Sequence, residues 1–293
     1  MASLARWRAH LPNFDPDYLI EKEQRNTSNA LRRLSRDQRS MGWEHLSMRN
    51  CTEAERCRGG LCPRCIRQLR VNLLDFLESE RLHLLCWHFV TIRVEGWKVE
   101  PGNLEPFGRL HDHPYIYNLM TKFRRMKLPG LVVFGSIETV YNTVANIPTG
   151  KPFHLHLMVS GASEVKIDTA VKATIPLSDD IVPLDIRPVS PTDADFFEAA
   201  SYAFKQPLLK RSKIREGDRG ALQRPNAAER CELISNLGMH GWQGRLILLG
   251  IRCDNGQFRL TADLSTTARR ADSARLRKQP NRRERQVPGW PSS

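Results

Sequence analysis

At 293 residues the chain can bury a core in one domain of about 200 residues or in two smaller ones. Its net charge of +13 and pI near 9.8 point to a polyanionic partner, nucleic acid first among them. No run approaches the ~18 apolar residues of a membrane span, residues 1–14 lack the apolar centre of a signal peptide, and seven cysteines, an odd number, speak against a disulfide framework; a cytoplasmic, reducing setting is expected.

Residues 1–50 read as an accessory basic segment with one helical pattern, from Asn29 to Gln38, that carries Arg32, Arg33 and Arg36. Cys51, Cys57, Cys62 and Cys65 follow. Ile66, Leu69, Leu73, Phe76 and Leu77 then recur at helical spacing. The β-branched and aromatic run Leu85 to Val94 predicts a strand. Asp112 and Pro114 sit where an N-cap and a first helical turn belong, opening a helix that ends before Pro129-Gly130. A second strand spans Leu131 to Tyr141. The linker Asn142 to Lys151 returns the chain into a third strand at Phe153 to Val159, which makes the two strands antiparallel neighbours. A short helix near Glu164 to Lys172 and a strand at Ile181 to Val189 come next. Thr192 and Asp195 resemble a capping box for a helix through Phe196, Phe197, Tyr202 and Phe204. Leu208 to Asn226 is charged and read as a loop; a helix from Ala227 to Leu237 and a strand at Arg245 to Ile251 look like a C-terminal appendage. From Arg269 onward the Arg-rich, Pro-punctuated chain has the composition of disorder.

Three constellations carry chemistry. His154 and His156 flank Leu155, and on a strand this spacing puts both imidazoles on one face, half of a divalent-metal site. The even positions Val132, Phe134, Ser136, Glu138 and Val140 of the preceding strand share a face, so Glu138 is an acid within an otherwise apolar stripe. A cation bound jointly with His154 and His156 would offset the cost of burying it; the alternative is a solvated acid on an edge strand. Imidazole and carboxylate together tolerate Mg²⁺, Mn²⁺ or Zn²⁺.

The second constellation is Glu198, Tyr202 and Lys205, which helical spacing stacks together. A phenol, with a pKa of about 10, needs a cation or a metal-bound phosphate nearby to act as a nucleophile. The third is the cysteine quartet. Four thiolates within fifteen residues, ending in Cys62-Pro63-Arg64-Cys65, suit tetrahedral Zn²⁺, with His45 able to replace one ligand. Arg58, Arg64, Arg67 and Arg70 around this knuckle offer a basic surface to DNA phosphates, or form a solvated face.

Taken in order, Phe89-Val-Thr-Ile-Arg93, Gly135-Ser-Ile-Glu138-Thr-Val-Tyr141, His154-Leu-His156-Leu and Tyr202-x-x-Lys205 resemble the rolling-circle replication initiators of small plasmids, in the HUH endonuclease superfamily. The Cys-Pro-x-Cys knuckle upstream also looks like that family, and the similarity covers about Cys51 to Pro207. The resemblance implies an α+β fold, with a sheet of about five antiparallel strands, helices on one face and a zinc knuckle ahead of it. It implies Mg²⁺ or Mn²⁺ held by His154, His156 and Glu138, Zn²⁺ on the four cysteines, and Tyr202 as nucleophile toward single-stranded or hairpin origin DNA. Lys205 would hold the phosphate charge or help deprotonate the phenol, and Glu198 would activate water for a terminating cleavage.

Two departures stand out. Many relatives carry a further His where this chain has Pro152, and no second Tyr lies one turn from Tyr202, unlike the two-tyrosine phage and transposase types. No nucleotide-binding loop is present, so a host helicase and polymerase are expected partners. The layout expected is a basic segment (1–50), a knuckle and helix (51–80), a catalytic domain (81–210), an appendage (211–265) and a basic tail (266–293). A single-tyrosine transposase or phage replication protein, and a non-enzymatic zinc-knuckle DNA-binding regulator, remain the alternatives.

Overall fold

A computed structural model of the chain describes residues 2–11, 16–34, 48–59, 62–103, 112–145, 147–178, 182–190, 193–204, 209–213, 215, 220–238 and 243–261. Expectations for His45, Thr192, Lys205 and the tail from Arg269 lie outside these residues. The helices are α1 (Ala2–His10), α2 (Asp17–Leu34), α3 (Pro63–Ser79), α4 (Pro114–Arg125), α5 (Glu164–Lys172), α6 (Asp193–Tyr202) and α7 (Ala227–Gly238). The strands are β1 (Trp87–Val99), β2 (Val132–Val144), β3 (Ile147–Ser160), β4 (Leu184–Val189), β5 (Leu209–Lys213), β6 (Ala221–Gln223), β7 (Leu246–Leu249), β8 (Ile251–Asp254) and β9 (Gln257–Leu260). None of the described helices is long and apolar enough to cross a membrane.

Five strands form an antiparallel sheet in the order β4-β1-β3-β2-β7, as expected for an α+β fold. The outer edge of β2 is shared: β7 pairs with Val133–Ser136, and β5 runs parallel to Val140–Val144, with β6 antiparallel beyond it. Period-two alternation divides the central strands between two cores. Val90, Ile92 and Val94 of β1, Val133 and Ile137 of β2, and Leu155, Leu157 and Val159 of β3 pack under α4, α5 and α7. On the other face Trp87, Val132, Phe134 and Met158 pack under α1, α3 and α6, through Trp7, Leu73, Leu77, Phe196 and Phe197. Helices therefore cover both faces rather than one, because the sheet is apolar on both sides and neither could be left to water. Each fully buried Leu or Phe in these layers is worth ~1.5–3 kcal/mol.

Several local expectations change. Helices α1 and α2 are part of the fold rather than accessory, since Trp7 and Leu31 are fully buried and Arg230 of α7 reaches Glu23 of α2 at 2.6 Å. The C-terminal segment is no appendage, since β7 completes the sheet. The Asn142 to Lys151 linker is instead the extended tip of the β2–β3 hairpin, with Pro148 paired to Thr143. His113, not Asp112, caps α4, its ring accepting from the Tyr115 amide at 3.3 Å. The charged stretch read as a loop contains β5 and β6.

Candidate metal centre and nucleophile

Register places the three candidate ligands. Glu138 lies opposite His154 and Ser136 opposite His156 across β2–β3, while Thr91 of β1 lies opposite His156 on the other side. Directly paired residues point the same way, so these groups converge on the face under α6. The Glu138 carboxylate is 2.8 Å from His156 Nε2 and 3.5 Å from His154 Nε2, and one donor atom from each residue lies within 4.8 Å of the others. The two rings are perpendicular, 4.7 Å apart, and His156 stacks on Phe89 at 5.4 Å. Thr91 Oγ1 meets His156 Nδ1 at 3.1 Å, which leaves Nε2 as the nitrogen turned to the cluster.

Burial pushes the Glu138 carboxyl up, but the two imidazoles, by hydrogen bonds and charge, outweigh it and hold the group well below the usual carboxylate range. Two imidazoles and a carboxylate within reach of one point fit a divalent cation and leave coordination positions open to a substrate oxygen. Behind Glu138 lies Arg245, just ahead of β7, whose guanidinium donates to the Ile137 carbonyl at 3.3 Å. Burial pulls its pKa down to about 10, against the attraction of Glu138. This buried cation escaped the sequence reading, which placed Arg245 only as the start of a strand.

Tyr202 ends α6 with its ring 5.3 Å from that of His156 and 5.8 Å from Phe89, and 39 % of the residue is exposed. Desolvation raises its phenol to about 12, Glu138 adding to the shift and Arg211 opposing it. Both chain neighbours of Tyr202 are tethered. Ser201 Oγ accepts from Arg70 Nε at 3.2 Å and Nη2 at 2.6 Å, and the Ala203 carbonyl accepts from Ser136 Oγ at 2.6 Å. Since Ser136 faces His156 across the hairpin, the strand that carries Glu138 also registers the turn that carries Tyr202. The sequence held a signal for this, because Ser136 interrupts the apolar stripe two residues before Glu138.

Close approach fixes Gly135 too. A Cβ there would stand 2.0 Å from the His156 carbonyl oxygen, so only glycine lets β2 lie against β3 at the metal-ligand residue. Glu198, one turn before Tyr202 on α6, is exposed, so its carboxylate lies at the surface rather than in the cluster.

The knuckle arginines are corrected. Arg67 is 8 % exposed and donates to Asp17 at 2.6 Å, and Arg70 is 4 % exposed beneath Ser201, so neither faces DNA. Arg64 is half-buried, bonded to the Cys51 carbonyl and to Glu21. The arginines fall on the core stripe of α3 shared with Ile66, Leu73, Leu74 and Leu77, where a cation must find an internal partner.

The four thiols do converge. Cys51, Cys57, Cys62 and Cys65 bring their sulfurs within 4.8 Å of one another, a donor set suited to Zn²⁺. The Gly59 amide donates to Cys57 Sγ at 3.5 Å, a contact of the kind that orients a thiolate ligand, and the Cys62 thiol donates to Gln24 Oε1 at 3.3 Å. Comparison of the chain with protein-family models, curated proteins and solved structures finds no match.

Proposed function

We propose that the chain is a metal-dependent DNA endonuclease and strand transferase of the HUH type, which nicks and rejoins single-stranded DNA and starts rolling-circle replication of a plasmid. The observation that carries this reading is the half-exposed Tyr202 ring 5.3 Å from His156, beside a Glu138, His154 and His156 cluster able to hold a cation. The ordered motifs supply the plasmid context.

Tyr202 Oη attacks the scissile phosphorus. The new O–P bond replaces the bond to O3′, the 5′-phosphate stays on the tyrosine, and the phenolic proton passes through the site to the departing 3′-hydroxyl. Reversal reseals the strand. Glu138, His154 and His156 would hold a divalent cation, Mg²⁺ or Mn²⁺, which when bound would polarise the phosphate. With a phenol near 12, Tyr202 is neutral at physiological pH, so its proton must leave during attack. Arg70 holds the Ser201 side chain and Ser136 the Ala203 carbonyl, which restrains the chain on either side of Tyr202 and lowers the entropic cost of attack. Zn²⁺ on the four cysteines is structural, and a host helicase and polymerase complete replication.

The test is attachment to a randomised single-stranded DNA library in Mn²⁺. Wild-type protein retains DNA after denaturation, whereas Tyr202→Phe binds DNA but retains none. Attachment that survives Tyr202→Phe moves the nucleophile elsewhere, and no attachment by either protein favours a DNA-binding regulator.

A further inference from the structure

β5 is the parallel intruder in the sheet, and its sequence Leu209-Lys210-Arg211-Ser212-Lys213 is strongly basic. It lies beside the strand that holds Glu138, pairing with Val140 to Val144. Its orientation is fixed three ways. In register, Arg211 pairs with Asn142 and Lys213 with Val144, positions of β2 that alternation places on the Glu138 face. Ser212 Oγ, between them, meets Thr143 Oγ1 at 3.4 Å on the opposite face. At Gly220, which has φ +68° and precedes β6, an added Cβ would stand 2.9 Å from Lys213 Cγ and 3.0 Å from Arg211 Cγ, so the two stems lie side by side over this glycine. Both side chains are half-buried, and the charge of Arg211 reaches the Tyr202 phenol.

We propose that β5, with Gly220 beside it, forms a cradle for the sugar-phosphate backbone of single-stranded nucleic acid beside Tyr202, with Arg211 and Lys213 on consecutive phosphates. Alternate residues on one face of a strand lie about 6.6 Å apart, a spacing that suits successive phosphates of an extended single strand. Arg211, nearer the nucleophile, takes the phosphate adjoining the reacting one, and its planar fork can grip two oxygens. A glycine at 220 is required because a side chain there would displace both stems. The inference rests on the strand-cutting reading for the presence of DNA at Tyr202, but it concerns binding and is measured without cleavage.

The experiment is binding of fluorescent oligo(dT) to the full, metal-loaded chain as a function of salt. Arg211→Gln with Lys213→Gln weakens binding ~25-fold at 0.1 M salt and lowers the slope of log K against log salt by ~1.4, the counterion-release values for two single-strand phosphates. Lys122→Gln with Arg124→Gln on α4 removes the same charge from the other face of the sheet and leaves both values unchanged. Equal losses in the two variants, or an unaltered slope in the β5 variant, overturn the proposal. Amine labelling of wild-type protein gives a second reading that needs no variant: oligo(dT) protects Lys213 and not Lys122, and equal protection overturns the cradle. Loss of Tyr202 attachment with the cradle intact would sink the nickase alone, whereas attachment by a chain with an unprotected Lys213 would sink the cradle alone.

Discussion

His156 is held at both ring nitrogens, by Thr91 Oγ1 at Nδ1 and by Glu138 at Nε2, with Phe89 stacked on its face. Turning the ring breaks buried contacts on each side, so the donor atom stays aimed at the cluster before any cation arrives. At this scale the sequence was readable: the alternation around Leu155 put both imidazoles on one face, and the apolar stripe around Glu138 marked that acid as buried. Thr91 was not readable, because its role depends on the pairing of β1 with β3, which periodicity within either strand does not specify. Thr91→Val keeps the side-chain shape and removes the Nδ1 partner. Mn²⁺ affinity measured by calorimetry should fall about 10- to 100-fold with little loss of folding, as for other outer contacts to ligating histidines. An unchanged affinity would mean that Thr91 only fills space.

α3 joins the two chemical regions of the protein. It opens at Pro63 within the cysteine knuckle, and Arg70, two turns on, holds Ser201 beside Tyr202. The helix itself was legible in its apolar spacing. Its arginines were misread because a cation on a core stripe carries no sequence mark that tells internal pairing from surface display. β5 was missed for a related reason, since a strand rich in Lys and Arg lacks the β-branched signature that identified β1 and β2. Arg67 also ties α3 to the start of α2: hydrogen bonding from Arg8, opposed by burial and joined by Arg67, holds the Asp17 carboxyl well below the usual carboxylate range. The ionised form therefore contributes stability that is complete above the unfolded value of about 3.9 and is lost as pH falls through the depressed native value. Asp17 is well exposed, which keeps the effect modest. Asp17→Asn should flatten the decline in urea midpoint below pH ~4. A decline as steep as that of the wild type would show that the pairing adds nothing.

Over the whole molecule, one sheet separates two cores. The core under α4, α5 and α7 is apolar packing that takes in Cys51, Cys62 and Cys65 of the knuckle, and the side under α3 and α6 carries the Glu138 cluster, Tyr202 and the basic strand. The antiparallel pairing of β2 with β3 followed from the linker between them, and the α+β class from what the resemblance implies. The second helical layer and the inclusion of the N-terminal helices did not, because Trp7 and Leu11 are buried from within a polar, basic segment whose composition gives no sign of packing. The account's central claim is that Tyr202, not another phenol, meets DNA at the metal cluster. Its most direct test is to incubate the protein with Mn²⁺ and single-stranded DNA, trim the DNA with nuclease, digest the protein and map the modified peptide by mass spectrometry. The prediction is a nucleotide joined through its 5′-phosphate to Tyr202. An adduct on the more exposed Tyr18 or Tyr117, or cleaved DNA with no adduct on any tyrosine, would contradict it.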